Sequence, residues 1–441
     1  MKTSFYNIYV KNKQKNTICF NTLLDSFCIL SNTDMELLKT DLEKFAVCSP
    51  KVYHALVDMG FLVDDEKDEF ADLCKEYNEA VNTENSYYLT LLPSLDCNLR
   101  CWYCFEKHIK NSHLLAEISE AIFNLVKRLF EENSRLSNLN IELFGGEPLL
   151  YFEEELYPLL VRIKEYVHSI GKSISFFFVT NAVCITEKNI PMFNELGASF
   201  QISIDGFKDR HDKVKFIPET NEGTYDRMIQ TIHILTAQLD NVYINLRINY
   251  DDETLPHMPK LIEELADINR NKIGIHLERV WQTGGISNYE NEELKHLINL
   301  WMMNGFKVSY MNMERRSYSC KASVKNQSVV SYNGAVYKCS GRDFTSEHQE
   351  GTLQADGNIV WNEEKLGKRL KIQTYNNSQC RNCKFLPLCW GPCCQKQLES
   401  PEKDFTRYCQ KQNMELSIAD YVRYRFNNAY IIPNNHKNKI Q

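Results

Sequence analysis

Residues 96–106 read DCNLRCWYCFE, and their cysteines, Cys97, Cys101 and Cys104, stand in the pattern C-x3-C-x2-C. The stretch directly follows residues 87–92, YYLTLL, whose aromatic and apolar side chains predict a strand. Cysteine thiolates are the usual ligands of iron–sulfur clusters. Three thiolates on a four-iron cube leave one iron open, and an amino-acid cofactor can chelate that iron. Zinc fits the same residues if His108 serves as a fourth ligand, so this segment alone leaves the metal open.

Outward from this stretch the chain alternates between strand-like and helix-like segments. Strands are predicted at 87–92, 140–144, 174–180, 200–205, 242–249 and 273–280, with helices near 114–132, 152–169, 187–196, 224–239 and 254–269. That order predicts a parallel α/β sheet, a partial six-unit barrel over residues 86–300. Chemistry in such sheets gathers at the carboxyl ends of the strands. The second strand ends in Phe144-Gly145-Gly146-Glu147-Pro148, where two glycines let the backbone approach a ligand and Pro148 fixes the exit. An ordinary strand-to-helix turn reads the same way.

Residues 1–85 form a separate unit by pattern. Short strands are expected at 5–10, 17–23 and 26–30. A helix capped by Asn32 or Thr33 runs to about Ala46, and a second, 51–59, ends at Gly60. Three strands and a helical cluster predict a winged-helix-like module. The acidic residues 64–69 read as a solvated face. Beyond residue 300 the alternation stops, and residues 320–409 hold eight of the 16 cysteines. A polar, turn-rich segment of that kind predicts a small domain stapled by metal more than by a core. A last amphipathic helix is expected over 411–427, with Leu416, Ile418, Tyr421 and Phe426 available for packing, followed by a frayed polar tail over 433–441.

Composition narrows the function. The 441 residues carry a net charge of −7 and are 43% hydrophobic. Such a chain can bury a core and lacks the clustered positive charge of a nucleic-acid binder. No apolar run is long enough to cross a bilayer, and the first ten residues lack a signal-peptide core. A cytoplasmic protein is therefore expected, with no membrane partner. In that compartment the cysteines read as metal ligands before disulfides.

The segment 96–106 resembles the signature of the radical S-adenosylmethionine (radical SAM) superfamily, including the aromatic Tyr103 before the third cysteine. The resemblance implies that Cys97, Cys101 and Cys104 hold a 4Fe–4S cluster and that Tyr103 lies against the adenine of S-adenosylmethionine. Gly145, Gly146, Glu147 and Pro148 resemble the family's GGEP segment, whose backbone and glutamate bind the cofactor's ammonium. Val179-Thr180-Asn181 resembles a turn near the ribose, with Ala182 where glycine is usual. Ser203 and Asp205 resemble an SxDG segment. Lys215 stands where relatives carry an arginine that can pair with the cofactor carboxylate; lysine keeps the charge without the bidentate fork.

Downstream, Cys380, Cys383, Cys389 and Cys393 give C-x2-C-x5-C-x3-C. With Cys320, Cys339 (five residues after Gly334) and Cys409 they match the spacing of a SPASM domain, taken here as residues 301–410. Four-cysteine spacing alone also fits paired zinc ribbons. The resemblance implies two auxiliary 4Fe–4S clusters, three clusters in all: Cys380, Cys383, Cys389 and Cys409 hold one, and Cys320, Cys339 and Cys393 hold the other. The latter set has no evident fourth ligand. Cys394 is adjacent to Cys393, but neighbouring side chains rarely point the same way. An open iron that binds a substrate thiolate is the expectation. Cys19, Cys28, Cys48, Cys74 and Cys184 read as small buried hydrophobes.

Relatives with this domain imply two reactions. One matures a ribosomally made precursor peptide through thioether or carbon–carbon crosslinks; the other is anaerobic sulfatase maturation, oxidising Cys or Ser to formylglycine. The first is favoured because about 85 residues precede the barrel. In several peptide maturases a winged-helix-like module there binds the leader as an added strand. Sulfatase-type relatives carry a catalytic Asp directly after the cysteine matching Cys339, where this chain has Ser340 and, further on, Asp343. A non-catalytic peptide-binding scaffold is the reading of another class. The expected partners are a precursor peptide and a reductant such as flavodoxin or ferredoxin. The catalytic base is not identified; Glu278, Arg279 and Asp343 are candidates near strand or cluster ends.

Overall fold

The computed structural model describes residues 1–12, 16–280, 282, 290–311, 313–400 and 408–431. The chain opens with a three-stranded antiparallel sheet, β1 (Asn7–Lys11), β2 (Thr17–Asn21) and β3 (Ser26–Leu30), in that spatial order. Three helices follow, Asn32–Thr40, Leu42–Cys48 and Pro50–Asp58. The single helix expected to run to Ala46 is two. Asp41 takes extended backbone and its carboxylate caps the second helix at Lys44 N, while Ser31, not Asn32 or Thr33, caps the first. Gly60 turns left-handed at φ +70° and leads into Leu62–Val63, which pairs with Lys2–Thr3.

The acidic stretch 64–69 departs from expectation at its end. Glu69 is buried, accepts from Ser4 Oγ at 2.6 Å and Phe5 N at 2.8 Å, and begins a helix, Glu69–Val81, that polar composition concealed. That helix packs Leu73, Tyr77 and Val81 against Tyr375, Leu386 and Trp390 of the cysteine-rich region. Arg315 joins Glu76 at 2.5 Å, and Arg425 joins Asp25 at 2.8 Å. Residues 1–85 are thus bonded to the C-terminal third of the chain.

The second sheet contains β4 (Ser86–Leu92), β5 (Asn138–Leu143), β6 (Ser173–Thr180), β7 (Ser199–Ile204), β8 (Ile244–Tyr250), β9 (Ile273–Arg279), β10 (Lys307–Tyr310), β11 (Gln327–Ser331), β12 (Ala335–Tyr337), β13 (Gly351–Leu353) and β14 (Ile359–Trp361). Their order is β10-β9-β8-β7-β6-β5-β4-β11-β12-β13-β14. The run from β10 to β11 is parallel throughout, and β11 to β14 are antiparallel. The six expected strands are all present. The alternation does not stop at residue 300: helix Glu292–Met303 and β10 add another unit. On the opposite edge, β11 from the cysteine-rich region pairs with β4, so one sheet passes through both regions.

The core sits between sheet and helices. Leu89, Ile141, Phe178, Phe200, Ile202, Ile204, Leu246 and Ile248 are all buried. Parallel strands covered by crossover helices call for such apolar side chains. The terminal helix is shorter than expected, Ile418–Phe426, with Tyr421 and Val422 buried and Ile418 largely exposed. The expected frayed tail, 433–441, lies outside the described residues. No described helix is long and apolar enough to cross a membrane.

Candidate functional site

Parallel strands end on one edge, so the loops after β4 to β7 meet there. After β4 come Asp96 to Cys104, after β5 Phe144 to Pro148, after β6 Asn181, and after β7 Asp205. The first two loops are bound directly: Glu147 N donates to Asp96 O at 2.8 Å. A Cβ on Gly146 would stand 2.1 Å from Asp96 O, and one on Gly145 2.6 Å from Ser94 O. The glycines were expected to admit a ligand. The space they leave is filled by the chain itself, which presses the cysteine loop onto the end of β5.

Glu147 is tied into the same junction. It is fully buried, and its carboxylate accepts from Thr180 Oγ1 at 2.7 Å, Asn181 N at 2.9 Å and Leu149 N at 3.1 Å. Burial pushes its carboxyl up to about 7 against those bonds. It acts as a brace between β5 and β6. Glu106, which sequence reasoning passed over, lies in the same loop as the cysteines. Its Oε2 is buried with no hydrogen bond, and burial, then Glu147, pushes its carboxyl up to about 8. The available signal was an acid two residues past the third cysteine, within the same loop.

The three thiols are held by the loop and its neighbours. Leu99 N donates to Cys97 Sγ at 3.4 Å. The Asn181 amide donates to Asn98 Oδ1 at 2.8 Å and lies 3.8 Å from Cys97 Sγ. Cys104 N donates to Cys101 O at 3.0 Å, and Cys104 Sγ lies 3.6 Å from His108 Nε2. Burial raises all three thiols, Cys101 to about 11 with Lys215 opposing the rise. Thiols become thiolates when a metal takes the proton's place. Among the described residues, no three His, Cys, Asp or Glu side chains converge to hold a single ion. Three cysteines in one loop are the donor type that iron–sulfur clusters take.

Tyr103, Ser203, Asp205 and Lys215 form one buried network. Tyr103 OH donates to both Asp205 oxygens, at 2.7 and 2.9 Å, and accepts from Asn249 Nδ2 at 3.1 Å. Lys215 is 2% exposed, which removes a surface role. Its Nζ donates to Ser203 O at 2.9 Å and Oγ at 2.8 Å and meets Asp205 Oδ2 at 3.1 Å. An ammonium has three protons. All are engaged, so Lys215 contributes charge beside Cys101 and is not a free partner for a carboxylate. Behind it, His211 is fully buried; burial, then Lys215, lowers its pKa to about 3, and its Nδ1 accepts from Asp205 N. Ala182 holds φ +64°, the left-handed conformation for which glycine is usual.

The downstream cysteines fall into two groups. Cys380, Cys383, Cys389 and Cys409 line one cavity of about 470 Å³, closed in part by Ile8 of β1. Cys320, Cys339 and Cys393 form the other, each within electrostatic reach of its companions and of Cys394. The candidate bases are otherwise occupied. Glu278 pairs with His276 at 3.1 Å, Arg279 with Glu415 at 2.7 Å, and Asp343 with His348 at 2.6 Å.

Comparison with known proteins follows this geometry. Residues 91–265 match the Radical SAM superfamily. The cysteine-type anaerobic sulfatase-maturating enzyme of Clostridium novyi (strain NT) is 24% identical over 329 residues, 68% of this chain and 85% of that one. Native anSMEcpe with bound AdoMet and Cp18Cys peptide has a similar fold, with TM-score 0.55, 21% identity, and coverage of 81% of this chain and 100% of that one. Streptococcus suis SuiB bound to precursor peptide SuiA also gives 0.55, at 16% identity, covering 93% of this chain and 99% of that one.

Proposed function

We propose, from the premise that residues 91–265 are a radical SAM domain, that this enzyme is a maturase of a ribosomally made peptide. The family binds S-adenosylmethionine and a 4Fe–4S cluster. In this reading residues 1–85 bind the leader, 86–300 with β10 form the catalytic barrel, 301–410 carry two auxiliary clusters, and 411–441 pack against the barrel.

The observation that carries the reading is the state of the two edges of the N-terminal sheet. On β1, Lys384 Nζ takes Asn7 O at 2.7 Å and Arg423 takes Lys11 O at 3.1 Å. On the other side, β3 has β2 as its one strand partner among the described residues. A peptide can extend a sheet only where backbone groups are unpaired, and β3 offers them. The same sheet borders the Cys380–Cys383–Cys389–Cys409 cavity through Ile8, which would bring a leader's downstream end toward the cysteine-rich side.

When bound, the cluster and S-adenosylmethionine would supply the radical chemistry needed for hydrogen abstraction from a peptide. Cys97, Cys101 and Cys104 hold the cluster, with the amides of Leu99 and Asn181 fixing Cys97. Tyr103, locked by Asp205 and Asn249, offers a fixed ring edge to the adenine. Glu106 Oε2 supplies the acceptor for the cofactor's ammonium in place of Glu147. An adjacent ammonium would return the Glu106 carboxyl to its charged form.

A sulfatase-type reaction is the second reading, favoured by the Clostridium novyi relative. Against it stands Ser340 after Cys339, with Asp343 paired to His348. The test is anaerobic co-expression with a short neighbouring reading frame. Loss of two hydrogens from the peptide, abolished on deletion of 1–85, supports crosslinking through leader recognition. An aldehyde product, or unchanged peptide affinity after the deletion, overturns it.

A further inference from the structure

Cys19 and Cys28 stand directly opposite one another on the paired strands β2 and β3, far from the cluster cysteines in sequence. We infer that they are an oxidisable dithiol, which closes to a cross-strand disulfide and so weakens peptide docking on β3. The bridge itself is independent of the function proposed above; its effect on the peptide rests on the leader-binding reading of residues 1–85.

The first observation is the register. The hairpin pairs Ile18 with Ile29, Cys19 with Cys28 and Phe20 with Phe27. Opposed residues of an antiparallel pair have Cα atoms about 4.5–5.5 Å apart. Their side chains share one face, with Cβ atoms at a similar spacing. A disulfide asks for Cα atoms about 4.4–6.8 Å apart and Cβ atoms about 3.5–4.5 Å apart. The strands already meet the first condition, and a small inward turn of one residue meets the second. On the opposite face Phe20 and Phe27 stack at 4.3 Å with 7° between their planes, which holds the register against slipping.

The second is the difference between the two thiols. Cys19, on the central strand, is fully buried with Leu30, Met35, Phe45 and Phe61, whereas Cys28, on the edge strand, is half-buried. The Cys19 S–H, donating to the Cys28 sulfur, holds the Cys28 thiol below its usual value against the effect of burial, and the Cys19 thiol is raised in turn. Cys19 Sγ also lies 3.8 Å from Thr17 O. An accessible thiol with a lowered pKa attacks, and a buried neighbour resolves. The third is that two thiols are too few for a metal: among the described residues no group of three His, Cys, Asp or Glu gathers to hold an ion.

The co-reactant is a low-molecular-weight disulfide. The Cys28 thiolate attacks one of its sulfurs, an S–S bond forms to Cys28, the old S–S bond breaks, and one small thiolate leaves. Cys19 then gives up its proton to solvent and attacks Cys28 Sγ, releasing the second small thiolate. Two protein thiols are oxidised to one disulfide, and the reagent is reduced to two thiols. Drawing Cys28 toward Cys19 turns the edge strand about its axis and tilts the outward-facing backbone groups beside Cys28. Hydrogen bonds weaken steeply off line, so an added strand is held less well.

The test treats the full chain, with its clusters, with oxidised glutathione under anaerobic conditions, alkylates free thiols with N-ethylmaleimide and digests with trypsin. Residues 16–39 leave as one peptide, because Lys15 and Lys39 flank them with no Lys or Arg between. The expected peptide carries no alkyl group and is two hydrogens lighter than the dithiol form, and Cys19→Ser instead retains one glutathione on Cys28. A peptide alkylated at both cysteines overturns the dithiol, as does a Cys19→Ser protein whose Cys28 stays free. The second arm measures binding of the fluorescently labelled product of the short neighbouring reading frame. Oxidation is expected to weaken it about fivefold, the size of one lost hydrogen bond, with recovery on adding dithiothreitol and no change in Cys28→Ser. Equal binding by bridged and reduced protein overturns the coupling. Binding by neither form overturns the leader reading and the coupling together, while a mapped bridge still upholds the dithiol.

Discussion

The cysteine loop at the edge of the parallel sheet and the cysteine-rich region after residue 310 rely on different supports. The first is fixed by protein alone: glycines press it against β5, Glu147 braces β5 to β6, and a Tyr103–Asp205–Lys215–Ser203 network closes the far side. The second has short strands and helices, several of three or four residues, and its cysteines sit in those short helices, as Cys380 and Cys389 do, or in the turns beside them. A scaffold held by hydrogen bonds and core packing can wait for its metal. One made of short elements depends on metal for its shape.

Iron removal is the harshest way to break this contrast. Chelation under anaerobic conditions is expected to cut amide protection in residues 371–400 by more than about 1,000-fold, on the scale of structural metal sites. Protection in β5 to β8 should change little. Equal loss in both regions, measured by hydrogen exchange, would remove the distinction. A smaller effect is expected within the first site. Asp205→Asn leaves the Lys215 ammonium buried beside a neutral amide, a loss of about 3 kcal/mol in the denaturant midpoint. It also frees the Tyr103 hydroxyl, so weaker S-adenosylmethionine affinity should accompany it.

The third effect is a slope with pH. His211 is neutral in the folded protein, with its pKa lowered to about 3 by burial and by Lys215, whereas an unfolded histidine takes up a proton near 6.5. Between those values the unfolded chain binds more protons, so stability is full above pH 6.5 and falls as the pH drops. The expected slope is at most about 1.4 kcal/mol per pH unit, and His211→Gln should flatten it in urea titrations between pH 4 and 6.5. The smallest effect is expected for Ala182→Gly. Relief of the left-handed strain at φ +64° is opposed by a lost buried methyl and a more flexible unfolded chain. The midpoint should shift by less than about 1 kcal/mol; a larger shift would mean that the turn after β6 depends on more than backbone preference.

Much of this was legible in the sequence because strands with apolar, branched side chains announce themselves, and the six expected strands stand within about two residues of their predicted bounds. What escaped has physical reasons. Strand β10, KVSY, is four residues long and half polar, too short for its periodicity to register. Helix Glu69–Val81 hides its buried face among acids, and Glu69 itself is buried through hydrogen bonds to Ser4 and Phe5, 65 and 64 residues earlier in the chain. The roles of Lys215 and Glu147 were implied by the family resemblance, and whether a charged group reaches a ligand or a neighbouring loop depends on contacts across the sheet.

The pairing of β11 with β4 bears on how the chain can be handled. Residues 327–331 cover the outer hydrogen-bonding edge of 88–92, and Tyr87 OH donates to Ser328 Oγ at 2.9 Å. A fragment cut before residue 327 would leave the strand that carries the first cysteine loop as a bare edge, with Leu89 and Leu91 behind it. Exposed apolar edges of that kind recruit other copies of themselves. Attempts to produce the barrel separately should yield insoluble material unless a substitute strand caps that side.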